Sequence, residues 1–405
     1  MQYFTAELSN GIKLLYGEIK GSPLVNLSVW FRQGDRDEDE GEESLHHLLE
    51  HLMANGSKLY PDEFAIAKIK EKTGAFLNAY TGVEFVYLDS EFLADDIEEI
   101  FSLLSDKVKN PILAQNSIDR ETKIIDQELS NMPSNIDRSI YYFSQKSILN
   151  GSDLTKIPYG QDRAINKATE AKIQKIWEEV TDPGQTLIIC LGDLDLDKVK
   201  NLSEKHFGQV KKRREAKKRL TKIPKPAQLE CNFISPQSTM VQLNFLTIPY
   251  GHPDFYPLEL LRAILSLGKD SRLYQTLRMK NSLSYGVGTS NAAASDAGYF
   301  NIKFQSSNPD KATELVYEEL KKLDNISQPE LDSKRQSLLK ERKRRFLSNR
   351  MSLIYELGTT YSSLNQVVTL EKYEENIKKI TLEDIFRVVK TYLTEEKVTV
   401  IKTKQ

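Results

Sequence analysis

In the run SLHHLLEHLMANG, residues 44 to 56, three of the five histidines of the chain fall within six positions. On a helix, positions i, i+3 and i+4 share a face, so His47, Glu50 and His51 point the same way. His46 is turned about 100° from His47 and is not read as a ligand. Two imidazoles one turn apart can grip a Zn²⁺ ion, leaving the intervening carboxylate of Glu50 beside a water that it can deprotonate. The same residues also read as a leucine-striped helix on which the histidines are merely tolerated. A catalytic zinc takes three protein ligands, so the site needs a carboxylate or histidine from another element. The segment DRETKIIDQELSN, residues 119 to 131, offers Glu121 and Glu128, seven apart and therefore on one helix face. Solvated helices carry acids at that spacing too, and on spacing alone both readings stand.

Several elements must position these residues. Strand-like runs IKLLYGEI and LVNLSVWF come first, then a helical pattern from Ser44 through FAIAKIKEK. FLNAYTGVEFVYLDSEF reads as a strand pair, helices resume from ADDIEEIFSLLSDKV, and TLIICLGDLDLDKVKNLSEKHFG reads as strand, turn and helix. After residue 228 the order repeats: strands LECNFI and TMVQLNFLTI, helix YPLELLRAIL, strands SLSYGVGTS and GYFNIKFQSS, helices, and a last strand KVTVIKT. The expected fold is α+β, two structurally repeated domains over 1–215 and 216–405, each a mixed, mostly antiparallel sheet packed with helices. YPLELLRAIL, the counterpart of the histidine helix, contains no histidine, so one metal site per chain is expected.

The 405 residues carry 56 Lys and Arg against 58 Asp and Glu, a formal charge of -2, which provides no global field for nucleic acid or an anionic membrane. Seven of the first ten residues of KKRREAKKRLTKIPKPAQ, 211 to 228, are basic; without interleaved aromatics this reads as a linker. KERKRR, 340 to 345, lies in a helical pattern and reads as a solvated face. The two cysteines, Cys190 and Cys231, sit in apolar strand-like runs and read as buried free thiols. No export-signal pattern and no membrane-spanning run is visible, and the expectation is a cytoplasmic protein.

HLLEH is the inverted form of a zinc-protease signature. Followed by Glu128, 77 positions after His51, it resembles the metal triad of the pitrilysin-type inverzincin (M16) metallopeptidases, which include insulin-degrading enzymes and mitochondrial processing peptidases. That resemblance implies one Zn²⁺ per chain on His47, His51 and Glu128, with Glu50 as base and Glu121 as an accessory glutamate. GAFLNAYTGVEFVY resembles the family's edge strand that pairs with substrate main chain, around Asn78 and Ala79. SRLYQTLRMKNSLSYGVG resembles its segment with an arginine and a tyrosine that reach the substrate and the developing oxyanion, here Arg278 and Tyr285. The implied function is endopeptidase cleavage of unfolded peptides in a clamshell of two chains, for which a homodimer suffices. A non-catalytic structural or peptide-holding subunit of the same fold is the alternative, and a zinc hydrolase of non-peptide substrates a second. The chain departs from the family at Ser44, where glycine is common, and at His46, where a small residue is usual.

Overall fold

The computed structural model describes residues 1–39, 41–131, 140, 144, 164–215, 228–234 and 238–404. Strand β1 (Gln2–Glu7) is followed by β2 (Lys13–Glu18) and β3 (Leu24–Phe31). Helices α1 (Leu45–Asn55) and α2 (Glu63–Thr73) lead to β4 (Phe76–Thr81), β5 (Val86–Leu93), α3 (Ile97–Lys109) and α4 (Gln115–Asn131). Then come α5 (Glu170–Val180), β6 (Thr186–Gly192) and α6 (Leu196–Phe207). The later chain holds β7 (Gln228–Ile234), β8 (Thr239–Thr247), α7 (Phe255–Ser266), β9 (Val287–Ala293), β10 (Gly298–Ser306), α8 (Pro309–Lys321), α9 (Gln328–Ser348), α10 (Arg350–Leu364), α11 (Leu370–Lys378), α12 (Leu382–Tyr392) and β11 (Val398–Lys404).

Compactness divides the chain into two units, the first comprising Met1–Ser130, Pro158–Leu220 and Arg350–Val367 and the second the remainder. Helix α10 thus packs with the first unit, although it lies late in the chain. The sheet of the first unit runs β1-β2-β6-β3-β5-β4, and that of the second β7-β11-β8-β10-β9. Apart from β1, the two orders are the same permutation: the last strand of each unit inserts between the first two. That insertion makes the one parallel pairing in each described sheet, β2 with β6 and β7 with β11; every other pairing is antiparallel. Two structurally repeated α+β units with mixed sheets are therefore the architecture.

Alternation decides the faces. Val25, Leu27, Val29 and Phe31 of β3 enter one core with Leu48, Leu49 and Leu52 of α1, Ile100 and Leu104 of α3 and Ile118 and Ile125 of α4. Asn26, Ser28 and Trp30 occupy the opposite face, where Trp30 stacks on Tyr87 at 4.1 Å. Strand β4 pairs with β5 alone among the described residues and ends the sheet, with Phe76, Asn78 and Tyr80 exposed.

The expected strand SLSYGVGTS is shorter than read: β9 starts at Val287, because Ser282 takes a left-handed φ of +52° and Tyr285 projects into solvent. KERKRR is not uniformly solvated either, since Arg342 is buried over the Tyr373 ring at 3.5 Å while Lys340, Lys343 and Arg344 stay exposed. Of the basic stretch after residue 210, Arg213 packs on the Trp177 ring at 4.1 Å and Arg214 meets Glu178 at 3.4 Å; residues 216 to 227 lie outside the described residues. Cys190 is a free, fully buried thiol pushed up to about 12 by burial, and the Cys231 side chain falls outside the described residues. No described helix is long and apolar enough to cross a membrane.

Candidate metal centre

Helix α1 begins at Ser44 in the left-handed region, φ +69°, and the Ser44 side chain caps nothing. Its first turn is instead closed by Glu38, whose carboxylate accepts from the backbone N–H of Ser44 at 3.0 Å and of His46 at 2.9 Å. The same carboxylate lies 3.3 Å from His46 Nδ1, so His46, 1 % exposed, is a buried partner of Glu38 on a separate side of the helix. Burial alone would lower its pKa, but the bond to Glu38 and the charges of Glu38, Asp37 and Asp35 raise it overall.

With leucines 45, 48, 49 and 52 anchored in the core, His47, Glu50 and His51 are left together on another face. Helix α4 buries Ile118 and Ile125, and the +3 and +4 steps between them turn Glu121 and Glu128 toward α1. Donor atoms of His47, His51 and Glu128 all lie within 4.8 Å of one another. His47 Nε2 is 3.9 Å from one oxygen of Glu128, and His51 Nε2 is 4.0 Å from the other. The imidazole rings stand edge to face, 4.8 Å between centroids.

Glu121 is fully buried and takes a supporting position: its Oε2 lies 3.2 Å from His51 Nδ1 and accepts from Asn55 Nδ2 at 3.0 Å, while Oε1 accepts from Arg120 Nε at 3.0 Å. Burial raises its pKa, and these three bonds more than reverse that, holding the carboxyl below its ordinary value. A carboxylate on Nδ1 fixes the His51 tautomer with Nε2 free toward Glu128. Glu50 accepts from Thr81 Oγ1, on β4, at 3.0 Å. Its carboxyl is pushed up to about 7, chiefly by burial, with Glu128 adding and His51 and Thr81 opposing. Asn55 and Thr81 are additions to the sequence reading. Asn55 sits one turn after His51, and Thr81 follows Leu77 and Ala79 on the inward side of β4, so periodicity holds the signal once both partners are known.

These residues fit a zinc ion. Two imidazoles and one carboxylate make a three-ligand donor set with an open position, and the donor separations, up to 4.8 Å, would contract by roughly 0.5–1.5 Å to reach the roughly 3.3–3.5 Å of tetrahedral coordination.

A family model described as Insulinase (Peptidase family M16) matches residues 15–147, and one described as Peptidase M16 inactive domain matches residues 167–338. The chain belongs to peptidase family M16. An uncharacterized zinc protease of Rickettsia felis is 26% identical to this M16 chain over 391 residues, 94% of this chain and 92% of the relative. Cytochrome b-c1 complex subunit 1 of Bos taurus is 26% identical over 202 residues, 50% of this chain and 42% of the relative. The crystal structure of a protease from Helicobacter pylori superposes with a TM-score of 0.86 at 21% identity, covering 100% of both chains, which shows a shared fold.

Two further groups of sequence-derived residues are located in the M16 chain. Asn78 and Ala79 lie on β4 and line a cavity with Glu50 and His51. Arg278 and Tyr285 belong to the second unit, where the guanidinium sits over the Tyr285 ring at 4.5 Å and both line a cavity of about 520 Å³. Arg278 lies in a π-helical turn, Gln275–Lys280, a local geometry frequent at functional sites. Tyr285 is 84 % exposed.

Proposed function

We propose that the chain is a zinc-dependent endopeptidase acting on extended, unfolded peptides, with one Zn²⁺ per chain. The observation that carries this reading is the convergence of His47, His51 and Glu128 to within 4.8 Å, beside Glu50 and an open sheet edge. His47, His51 and Glu128 hold the metal, and Glu121 keeps His51 in its ligating tautomer. A zinc ion bound there supplies Lewis acidity and lowers the pKa of a coordinated water. Glu50, steered by Thr81, takes the proton released as water attacks the peptide carbonyl and delivers it to the leaving amine. The open edge of β4 around Asn78 and Ala79 aligns the peptide by main-chain hydrogen bonds.

Arg278 and Tyr285 act in this proposal as donors to the developing oxyanion, supplied in a homodimer by the second copy of the chain. The proposal places this hydrolase in the cytoplasm. Replacing Glu50 with Gln removes the base and leaves all three ligands. We expect about one zinc per chain by elemental analysis, and peptide cleavage reduced by roughly 10²–10⁴-fold. Undiminished cleavage by that variant sinks the assignment. The half-length similarity to a cytochrome b-c1 complex subunit favours a second reading, a non-catalytic subunit. Wild-type protein that binds zinc stoichiometrically and loses peptide cleavage on chelation discriminates against it.

A further inference from the structure

Beside Glu50 and His51 the first unit holds a cavity of about 420 Å³, lined among others by Leu77 and Ala79 of β4, Ile66 of α2 and Lys107 of α3. Lys107 has no part in the proposed hydrolysis. It is 4 % exposed, and its ammonium donates to the Ala54 carbonyl at 2.6 Å, near the C-terminal end of α1. Among the described residues no carboxylate lies within ion-pair distance of it.

Closing the end of α1 explains one of the three ammonium donors. The partial negative charge at the end of α1 favours a cation there, but it occupies one donor and supplies no full counter-charge, and a buried charge without a counterion is disfavoured. Burial, and then the neighbouring charge of Lys70, lower the Lys107 pKa to about 8, which still leaves the group mostly charged at neutral pH. Lys70 lines the same cavity from its exposed side. Glu63, also on the cavity wall and exposed, makes an ion pair with neither lysine among the described residues. Asp89 of β5, 2 % exposed, lines the cavity too and makes no ion pair with Lys107 among the described residues, so the cavity holds a buried cation that still has donors to spare, next to the base and to the strand edge that would carry a peptide.

We propose that this cavity receives a side chain of the substrate residue flanking the scissile bond, and that Lys107, seconded by Lys70, selects an acidic one. The proposal rests on the peptidase reading of the neighbouring centre. A peptide paired along β4 sends alternate side chains toward α1, and the one nearest Glu50 enters the space between β4 and α3. A carboxylate there satisfies the free donors of Lys107 and neutralises it; a lysine or arginine side chain would bring a like charge.

Peptides identical except for Glu, Gln or Lys at that position test this on the full-length protein. The Glu peptide should exceed the Gln peptide in kcat/KM by about tenfold, the worth of one charge-assisted hydrogen bond. Lys107→Met should bring that ratio to about one, and Lys107→Arg should keep it. Equal rates for Glu and Gln in the wild type, or a ratio unmoved in Lys107→Met, overturn the proposal. Fluorescence anisotropy of the labelled peptides on metal-depleted protein reads the pocket without hydrolysis. Tighter binding of the Glu peptide to the wild type, lost in Lys107→Met, supports it, and equal wild-type affinities overturn it even if the variant misfolds. If no peptide is cleaved at all, the peptidase reading fails, and the anisotropy comparison still decides the pocket.

Discussion

Ser44 holds a φ of +69° at the start of α1, and its hydroxyl caps nothing. A side chain in the left-handed region costs about 1–2 kcal/mol, which glycine avoids. Glycine also gains unfolded-state entropy, about 0.4–1 kcal/mol against it, so the two effects leave a net benefit. Ser44→Gly should therefore stabilise the protein by roughly 0.5–1 kcal/mol in urea unfolding, with zinc content unchanged; a lower midpoint would contradict the strain. A glycine, which the family resemblance leads one to expect at this place, would avoid that strain, and in this chain Glu38 closes the helix start from six and eight residues upstream. His46 beside it is explained by the same carboxylate. Of the three clustered histidines, the helical period alone separated His46 from the other two, but nothing local in the sequence marks Glu38 as its partner, because the intervening turn brings them together.

At the scale of elements, α10 places Gly358 against the fully buried Trp30 of β3, with a Cβ at that position falling well inside contact with the indole. Helix propensity alone predicts that Gly358→Ala gains about 1 kcal/mol. Trp30 cannot give way, being stacked on Tyr87 and bonded through Nε1 to Ser28 Oγ at 3.0 Å. Overpacking of a filled core costs about 1–3 kcal/mol or more, and this effect should win. The expected result is a net loss of about 1–2 kcal/mol by chemical denaturation; a raised midpoint would show that α10 can slide. The strand pair β4–β5, helix α1 and the repeated strand order are readable from period and turn residues. Strand β1 is not, since among the described residues it pairs with β2 alone and lies half-buried at the sheet margin, with no strong alternation. Arg342 shows the opposite failure, where a run of charges looks solvated until α11 brings Tyr373 over one of its members.

For the whole molecule, the proposed division of labour puts the metal ligands in the first unit and the Arg278–Tyr285 pair in the second, with the pair acting on the site of the partner chain. Mixing Glu50→Gln protein with Tyr285→Phe protein should then restore cleavage in the heterodimers, toward one intact site in two. Each variant alone should stay low, a lost oxyanion donor being worth about 10²–10³ in kcat. Properly mixed dimers without recovery would place both functions within a single chain.

The spacing of His47, Glu50 and His51 is intrinsic to one helix, and so the sequence alone determined that these three share a face and that His46 does not. It also determined the repeated order of strands and helices, because hydrophobic period and turn residues act over short range. The completion of the site was of another kind. Glu128 lies 77 positions beyond His51, and its spacing from Glu121 is common to many solvated helices. Only the packing of Ile118 and Ile125 into the core shared with α1 turned that face toward the histidines, gave Glu121 a buried bond to His51, and set Thr81 on Glu50. Long-range contacts of this kind depend on which core fills which side of a helix, and that is decided when the elements pack.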